Sequence, residues 1–241
     1  DVAPAVRSLT LLDTRIDEVY RQILAHGNKD QNNLSATIAL YLYGRSFFLD
    51  DQPIVPAHQE AVDYFLEQAR QYWTKLGCRQ SQAHLAIALK RCGDKPTPQD
   101  IMQSLKERSV TDEELGMFWR DTERSWWWYH APIETQALMI EAFDEVMNDV
   151  ESVEGCRVWL LKQKQTQDWK TTKATADAIY SLLLRGTDLL ASDALVRVRV
   201  GDLQLEPQAV EAGTGFYEQR FVGEAVQPEL GRVQVTKTDA G

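Results

Sequence analysis

Cysteine is scarce in this chain of 241 residues: there are three, Cys78, Cys92 and Cys156. No two of them form a Cys-x-x-Cys pair, which excludes a zinc ribbon and a thioredoxin-type motif. The odd count leaves both a Cys78–Cys92 disulfide and buried free thiols open. No apolar run reaches the roughly 20 residues of a membrane-spanning helix. The longest, such as 36–42 with its Thr37, are of helix-core length. Basic clusters are missing as well. Lys and Arg total 26 against 36 Asp and Glu, a formal net charge of −10. An acidic surface repels phosphate backbones, so a nucleic-acid partner is disfavoured.

Catalytic signatures are equally thin. The four histidines, His26, His58, His84 and His130, show no His-x-x-x-His or Cys/His spacing, so neither a zinc site nor any other cofactor is expected. No Gly-x-Ser-x-Gly elbow and no Asp-x-Asp-Asp run occurs. Gly213-Thr214-Gly215 is too short for a phosphate loop and precedes a strand-like run. Cys156 shares a helical face with Val153 and Leu160, the setting of an inert core thiol. No residue is therefore assigned a catalytic, cofactor-binding or metal-binding role, and the chain is read as non-enzymatic.

What is present is helical periodicity from Ser8 to about Gly186, giving way to strand alternation from Ala194. The expected domains are a helical one over 1–190 and the start of a β-rich segment over 191–241. Ser8 or Thr10 is expected to open the first helix and Gly27 to end it. Asn33 is the expected cap of the second. A third follows Pro56, with Val62, Phe65, Leu66, Ala69, Trp73 and Leu76 on one face, and Gly77 closing it. A fourth spans 79–92, stopped by Gly93. Thr97-Pro98 opens a fifth. Thr111 to Glu114 reads as a short turn with a capping box. A sixth runs from Pro132 to about Met147, apolar around most of its girth, with Glu141 and Glu145 marking the wetter side. A seventh covers 150–163, and Thr171 or Thr172 caps an eighth whose Ala174, Ala176, Ala178 and Ser181 permit close packing. Leu195 to Val200 alternates apolar with basic residues; 216–222 and 232–236 are further strand candidates.

Two groups of residues allow a sharper reading. The run Trp126-Trp127-Trp128-Tyr129 is either a stacking platform or a buried plug, and burial is the commoner fate of aromatics. Glu134, Glu141, Glu145 and Asp168 contain potential acid/base pairs. Glu141 and Glu145, four apart, read more simply as a solvated face, and Glu134 as a first-turn acid facing the helix dipole.

A family resemblance rests on specific residues. Trp159-Leu160-Leu161-Lys162-Gln163-Lys164-Gln165, then Asp168-Trp169, then Thr171-Thr172 and 174–183, form a helix, a Gln-rich corner, a Trp and a Thr-capped helix. This resembles the hairpin repeat of α/α toroids, the group of terpenoid cyclases, prenyltransferase β subunits and thioester domains of complement and α2-macroglobulins. The order of 126–130, then Ala131-Pro132-Ile133-Glu134-Thr135-Gln136-Ala137-Leu138, the Trp169 hairpin, Gly213-Thr214-Gly215-Phe216-Tyr217 and Gln227-Pro228-Glu229-Leu230-Gly231 resembles bacterial α2-macroglobulin family proteins of the Bacteroidetes type. Asn32-Asn33-Leu34-Ser35 and 41–48 fit the same order.

That resemblance implies a mainly α fold, an incomplete α/α toroid of stacked antiparallel helical hairpins with a C-terminal antiparallel β segment. It also implies a non-catalytic structural module within a large protease trap, an endopeptidase inhibitor. The implied partners are the other domains of the parent chain and, through them, proteases; the implied location is periplasmic or cell-surface. The chain opens on Asp1 without a signal-peptide pattern, so it is expected to be part of a longer protein. The family's Cys-x-Glu-Gln thioester motif is absent: Cys78, Cys92 and Cys156 are followed by Arg79-Gln80-Ser81, Gly93-Asp94-Lys95 and Arg157-Val158-Trp159. The alternative is an α/α-toroid enzyme acting on polysaccharide or isoprenoid substrates, with the Trp cluster lining a cavity.

Overall fold

The computed structural model describes residues 3–120, 131–166, 169, 171–184, 197–205 and 219–236. The expectations for 121–130, Asp168, 185–196 and 206–218 therefore lie outside the described residues. The chain divides into two compact units, Asp1–Leu184 and Arg185–Gly241. It is mainly helical, with eight α-helices and five short strands among the described residues.

The first unit begins with α1 (Ala3–His26), which starts before either expected cap. Ser8 and Thr14 donate their hydroxyls to the carbonyls of Pro4 and Thr10, four residues back. Back-bonding of this kind lets hydroxyl residues sit inside a helix instead of starting it. α2 (Ala36–Ser46) is capped by Ser35, whose Oγ accepts from the Ile38 amide, and not by Asn33. The Asn33 amide nitrogen instead donates to the Asn28 and Gln31 carbonyls and to the Tyr64 hydroxyl, fastening the preceding loop to α3 (Pro56–Tyr72). Val62, Phe65, Leu66 and Ala69 are buried on α3 as their spacing predicts. Its end is a 3-10 turn at Trp73–Lys75, ahead of Gly77.

α4 (Arg79–Arg91) is the centre of the unit: Gln80 through Leu89 are all buried. Gly93 ends it with φ +88°; the Gly93 amide bonds to the Lys90 carbonyl and the Asp94 amide to that of Leu89, the paired pattern of a Schellman motif. α5 (Pro96–Glu107) starts one residue before Thr97. Asp94 takes the capping role expected of Thr97, since its carboxylate accepts from the Thr97 amide and hydroxyl.

The Thr111–Glu114 stretch is a hairpin, not a capped helical turn. β1 (Val110–Asp112) pairs antiparallel with β2 (Gly116–Phe118). Asp112 Oδ1 accepts from the amides of Glu114 and Leu115, each at 2.9 Å, closing an Asx turn that competes with a helix start. Gly116 has φ +77°, and a Cβ there would clash with the Gly155 carbonyl; a Cβ on Gly155 would lie 2.9 Å from that of Met117. The two glycines let β2 lie directly on α7 (Val150–Thr166).

α6 (Pro132–Ala142) is buried from Thr135 onward and continues into a π-helical turn, Phe143–Met147. Asn148 then adopts φ +52°, and Asp149 opens α7 by accepting from the Ser152 amide and hydroxyl. α8 (Thr172–Leu183) is capped by Thr171, whose Oγ1 accepts from the Ala174 amide at 3.0 Å. Ala174, Ala178 and Ser181 are its buried face, while Ala176 is exposed. α8 packs on α6, α6 on α4, and α4 on α2; α1 lies on α3, α5 on α4 and α7 on α6. No disulfide joins the cysteines among the described residues.

In the second unit, β3 (Arg197–Val200), β4 (Leu203–Leu205) and β5 (Val233–Thr236) form an antiparallel sheet in the order β4-β3-β5. The pairings Val198↔Leu205, Val200↔Leu203, Val198↔Val235 and Val200↔Val233 place six aliphatic residues on one face. Arg197 and Arg199 occupy the other, as the alternation predicts. β4 was not foreseen. Of the strand expected over 216–222, residues 219–222 form none; Gly223, at φ +59°, turns the chain into a 3-10 segment.

Candidate functional site

Helical spacing puts Gln80, His84 and Arg91 on one face of α4, at i, i+4 and i+11. That face meets Tyr43, Ser46 and Phe47 at the end of α2, Glu141 on α6 and Glu145 on the π turn. The Arg91 guanidinium is the hub. Its Nη2 donates to Glu141 Oε1 at 2.8 Å and to Glu145 Oε2 at 2.6 Å. Nε donates to Glu145 Oε1 at 2.9 Å, and Nη1 to the Ser46 hydroxyl at 3.2 Å. The same group lies 4.1 Å from the centre of the Phe47 ring and 5.8 Å from that of Tyr43. Tyr43 donates its hydroxyl to Glu141 Oε2 at 2.7 Å. Both Glu141 oxygens are thus occupied by donors.

The wetter side expected of Glu141 and Glu145 holds only for Glu145, which is partly exposed. Glu141 is 4% exposed. Glu141, in the last turn of α6, and Glu145, on the π turn, both reach the Arg91 guanidinium. Burial raises the Glu141 carboxyl above its ordinary value; Tyr43 and Arg91 pull it back without reversing the direction. Burial and then the Glu141 charge raise the Tyr43 phenol. For Arg91, burial acts downward but Glu145 and Glu141 outweigh it, so the guanidinium is held above its usual value. Tyr180 on α8 is raised by burial and then by Glu141.

His84 completes the cluster. Its ring centre is 4.7 Å from that of Tyr43, and it is 6% exposed. Its Nδ1 has no hydrogen-bond partner among the described residues. Burial, assisted by the Lys173 charge, lowers it to about 3. The imidazole is therefore neutral across the physiological range.

The other residues singled out by sequence are dispersed. Glu134 lies in the first turn of α6, half-buried. His58 Nδ1 is 3.6 Å from Asp17 Oδ2. Among the described residues no group of three or more His, Cys, Asp or Glu side chains is placed to hold a metal ion. Cys156 is fully buried with Val153 and Leu160, and burial pushes its thiol up. Trp169 packs into the corner between α7 and α8, 7% exposed, with its indole N–H 3.4 Å from the Leu160 carbonyl and the Lys164 amine 5.5 Å from its ring centre.

The arrangement ties α2, α4 and the α6–π-turn segment together through one guanidinium. One guanidinium against two carboxylates leaves a net charge of −1 in a partly buried seam, and every Arg91 nitrogen is bonded. Sequence reasoning missed Arg91 and Tyr43 because neither carries a motif; the signal available was the i, i+7 spacing of His84 and Arg91 across the apolar stretch 85–89 of α4. No protein-family model matches the chain, and no curated protein matches it. No helix among the described residues is long and apolar enough to cross a membrane.

Proposed function

We propose that the helical unit is an arc of an α/α toroid serving as a non-catalytic structural module of a larger, α2-macroglobulin-like protease trap at the cell envelope. One observation carries the reading. α2, α4, α6 and α8 are neighbours in that order, while α5 and α7 pack on α4 and α6. Successive hairpins of a toroid give this order, with even-numbered helices forming one layer and odd-numbered helices a second. The Thr171 cap and the Trp169 corner agree with the hairpin likeness. A module that transmits rearrangement between domains has to move as a body, and the Arg91 cluster ties α2, α4 and α6 together by charged bonds. Its partners would be neighbouring domains of the parent protein and, through them, proteases.

The test uses the whole parent protein, incubated with trypsin and assayed on casein and on a small chromogenic peptide. A trap blocks casein cleavage and leaves the peptide hydrolysed. Undiminished cleavage of both substrates would remove the reading.

A second reading, an α/α-toroid enzyme acting on polysaccharide or isoprenoid substrates, is favoured by one feature: a buried carboxyl of raised pKa, Glu141, beside a second carboxylate and two tyrosines. It requires turnover that Glu141→Gln abolishes while the fold persists by circular dichroism. Turnover unaffected by that substitution excludes Glu141 as the acid.

A further inference from the structure

We infer that β5 pairs with β5 of a second copy of this chain, antiparallel about a two-fold axis, extending the sheet of the second unit from three strands to six. The β3–β5 ladder fixes which way each β5 amide points. The Gly201 amide donates to the Arg232 carbonyl at 2.7 Å, in register with Arg199↔Gln234 and Arg197↔Thr236. Hydrogen-bonded pairs alternate along an antiparallel ladder, so residues 232, 234 and 236 bond inward to β3. Val233 and Val235 therefore turn their N–H and C=O groups to the free edge. None of these four groups has a partner among the described residues. The two side chains are 60% and 62% exposed, so nothing lies over this edge.

The edge is complementary to itself. With the axis at Gln234, Val233 lies opposite the partner's Val235, and Val235 opposite the partner's Val233. Each of these pairs closes two backbone hydrogen bonds, using all four outward groups of each copy. Gln234 meets the partner's Gln234 on the axis, where the two amides can bond to each other. The aliphatic face becomes continuous: one row runs Leu205, Val198 and Val235, then the partner's Val233, Val200 and Leu203. Thr236 faces the partner's Arg232, so no like charges stand directly opposite. Arg197 and the partner's Arg232 are two strand spacings apart, about 10 Å, where salt screens them. β4, the other edge, lacks this fit. By the same alternation only Gln204 of β4 faces outward, and Asp202 lies beside that edge. A two-fold pairing there gathers carboxylates of both copies, which deters it. β5 has neither an acid nor a proline.

The test is sedimentation equilibrium of the full chain from about 1 to 200 μM. A contact of two short strands is small, so Kd is expected on the order of 10 μM. Association stops at the dimer, because the two-fold uses up the edge. Val235→Pro removes an N–H that β3 does not use, a change tolerated at a strand edge. It is expected to raise Kd by about tenfold or more, since two of the four hydrogen bonds go. Gln234→Glu sets two carboxylates across the axis while facing Arg199 within the chain, and is expected to raise Kd by about tenfold. Gln204→Pro, the equivalent change on β4, is expected to leave it unchanged. In a Cys92→Ser chain, Gln234→Cys is expected to form an interchain disulfide on mild oxidation. Non-bonded pairs bring Cα atoms to about 4.5 Å, within disulfide reach. Gln204→Cys should stay reduced. A monomer throughout, polymers beyond the dimer, a dimer indifferent to both Val235→Pro and Gln234→Glu, or cross-linking at 204 instead of 234 would each overturn the inference. The cross-link decides the register even if the proline variant fails to fold.

Discussion

His84 is expected to make the helical unit acid-sensitive in a window set by one proton. In an unfolded chain its imidazole titrates near 6.5; in the folded unit burial holds it at about 3. Between those values the unfolded state binds a proton that the folded state refuses, so stability rises with pH. The contribution is fully present above pH 6.5 and is lost as pH falls toward 3. At about 1.4 kcal/mol per pH unit, the ceiling is about 5 kcal/mol, and a fall from pH 6.5 to 4.5 removes about 2.7 kcal/mol. The perturbation is His84→Gln, which keeps a polar side chain and removes the titration. Equilibrium urea unfolding of both proteins, followed by tryptophan fluorescence and circular dichroism, gives the stability difference at each pH. That difference should shift against the wild type by about 1.4 kcal/mol for each unit below 6.5. Carboxylate titrations common to both chains cancel in it. A difference flat in pH, or a His84 imidazole resonance titrating near 6.5 in the folded chain, would refute the reasoning.

Arg91→Ala is expected to cost about 3–4 kcal/mol at pH 8, because it strands the buried Glu141 carboxylate, whereas Glu141→Gln costs about 1 kcal/mol. The double variant should recover at least 1 kcal/mol relative to additivity, measured by a double-mutant cycle in urea. Because the folded Glu141 carboxyl is raised, its ionised form is the costly one. The stability of Glu141→Gln relative to wild type should therefore improve as pH rises from 4 through the folded value. Gly116→Ala combines positive φ with a clash against the Gly155 carbonyl and should cost about 3 kcal/mol; Gly93→Ala, with open space around it, should cost about 1 kcal/mol, both read from thermal unfolding. Thr171→Ala removes the α8 cap and should cost about 1 kcal/mol.

Local chemistry in this chain was legible wherever one residue decides the outcome. Gly93, with its left-handed φ, Pro132 in a first turn, Thr171 at a cap and the small-residue face of α8 all act over a few neighbours. The misreadings came where two local signals competed. Asn33, Thr97 and Thr111 each resemble caps, but Ser35, Asp94 and the Asp112 Asx turn win, and the losing side chains find partners elsewhere. Trp119, 1% exposed with its indole N–H on the Leu105 carbonyl, gave no periodic signal because it follows a hairpin. The Arg91 cluster was the least legible of all: Tyr43 and Glu141 are 98 residues apart. The i, i+4 acids Glu141 and Glu145 could be read as partners of one cation only by knowing that α4 delivers a guanidinium between them.

That guanidinium also bears on what the seam is for. A general acid must hold its proton where a substrate atom can take it, and must accept one back. Glu141 has the desolvated setting that raises a carboxyl, yet Arg91 Nη2 and the Tyr43 hydroxyl donate to its two oxygens. Protonating either oxygen weakens one of these two bonds. The first proton to arrive would break a tie between helices before it served any reaction. Arg91→Met, which keeps the apolar length and removes the charge, separates the possibilities. A scaffold loosens, with hydrogen exchange rising across α2, α4 and the π turn together. An enzyme waiting behind its own arginine would instead gain access to Glu141 while those helices stayed protected.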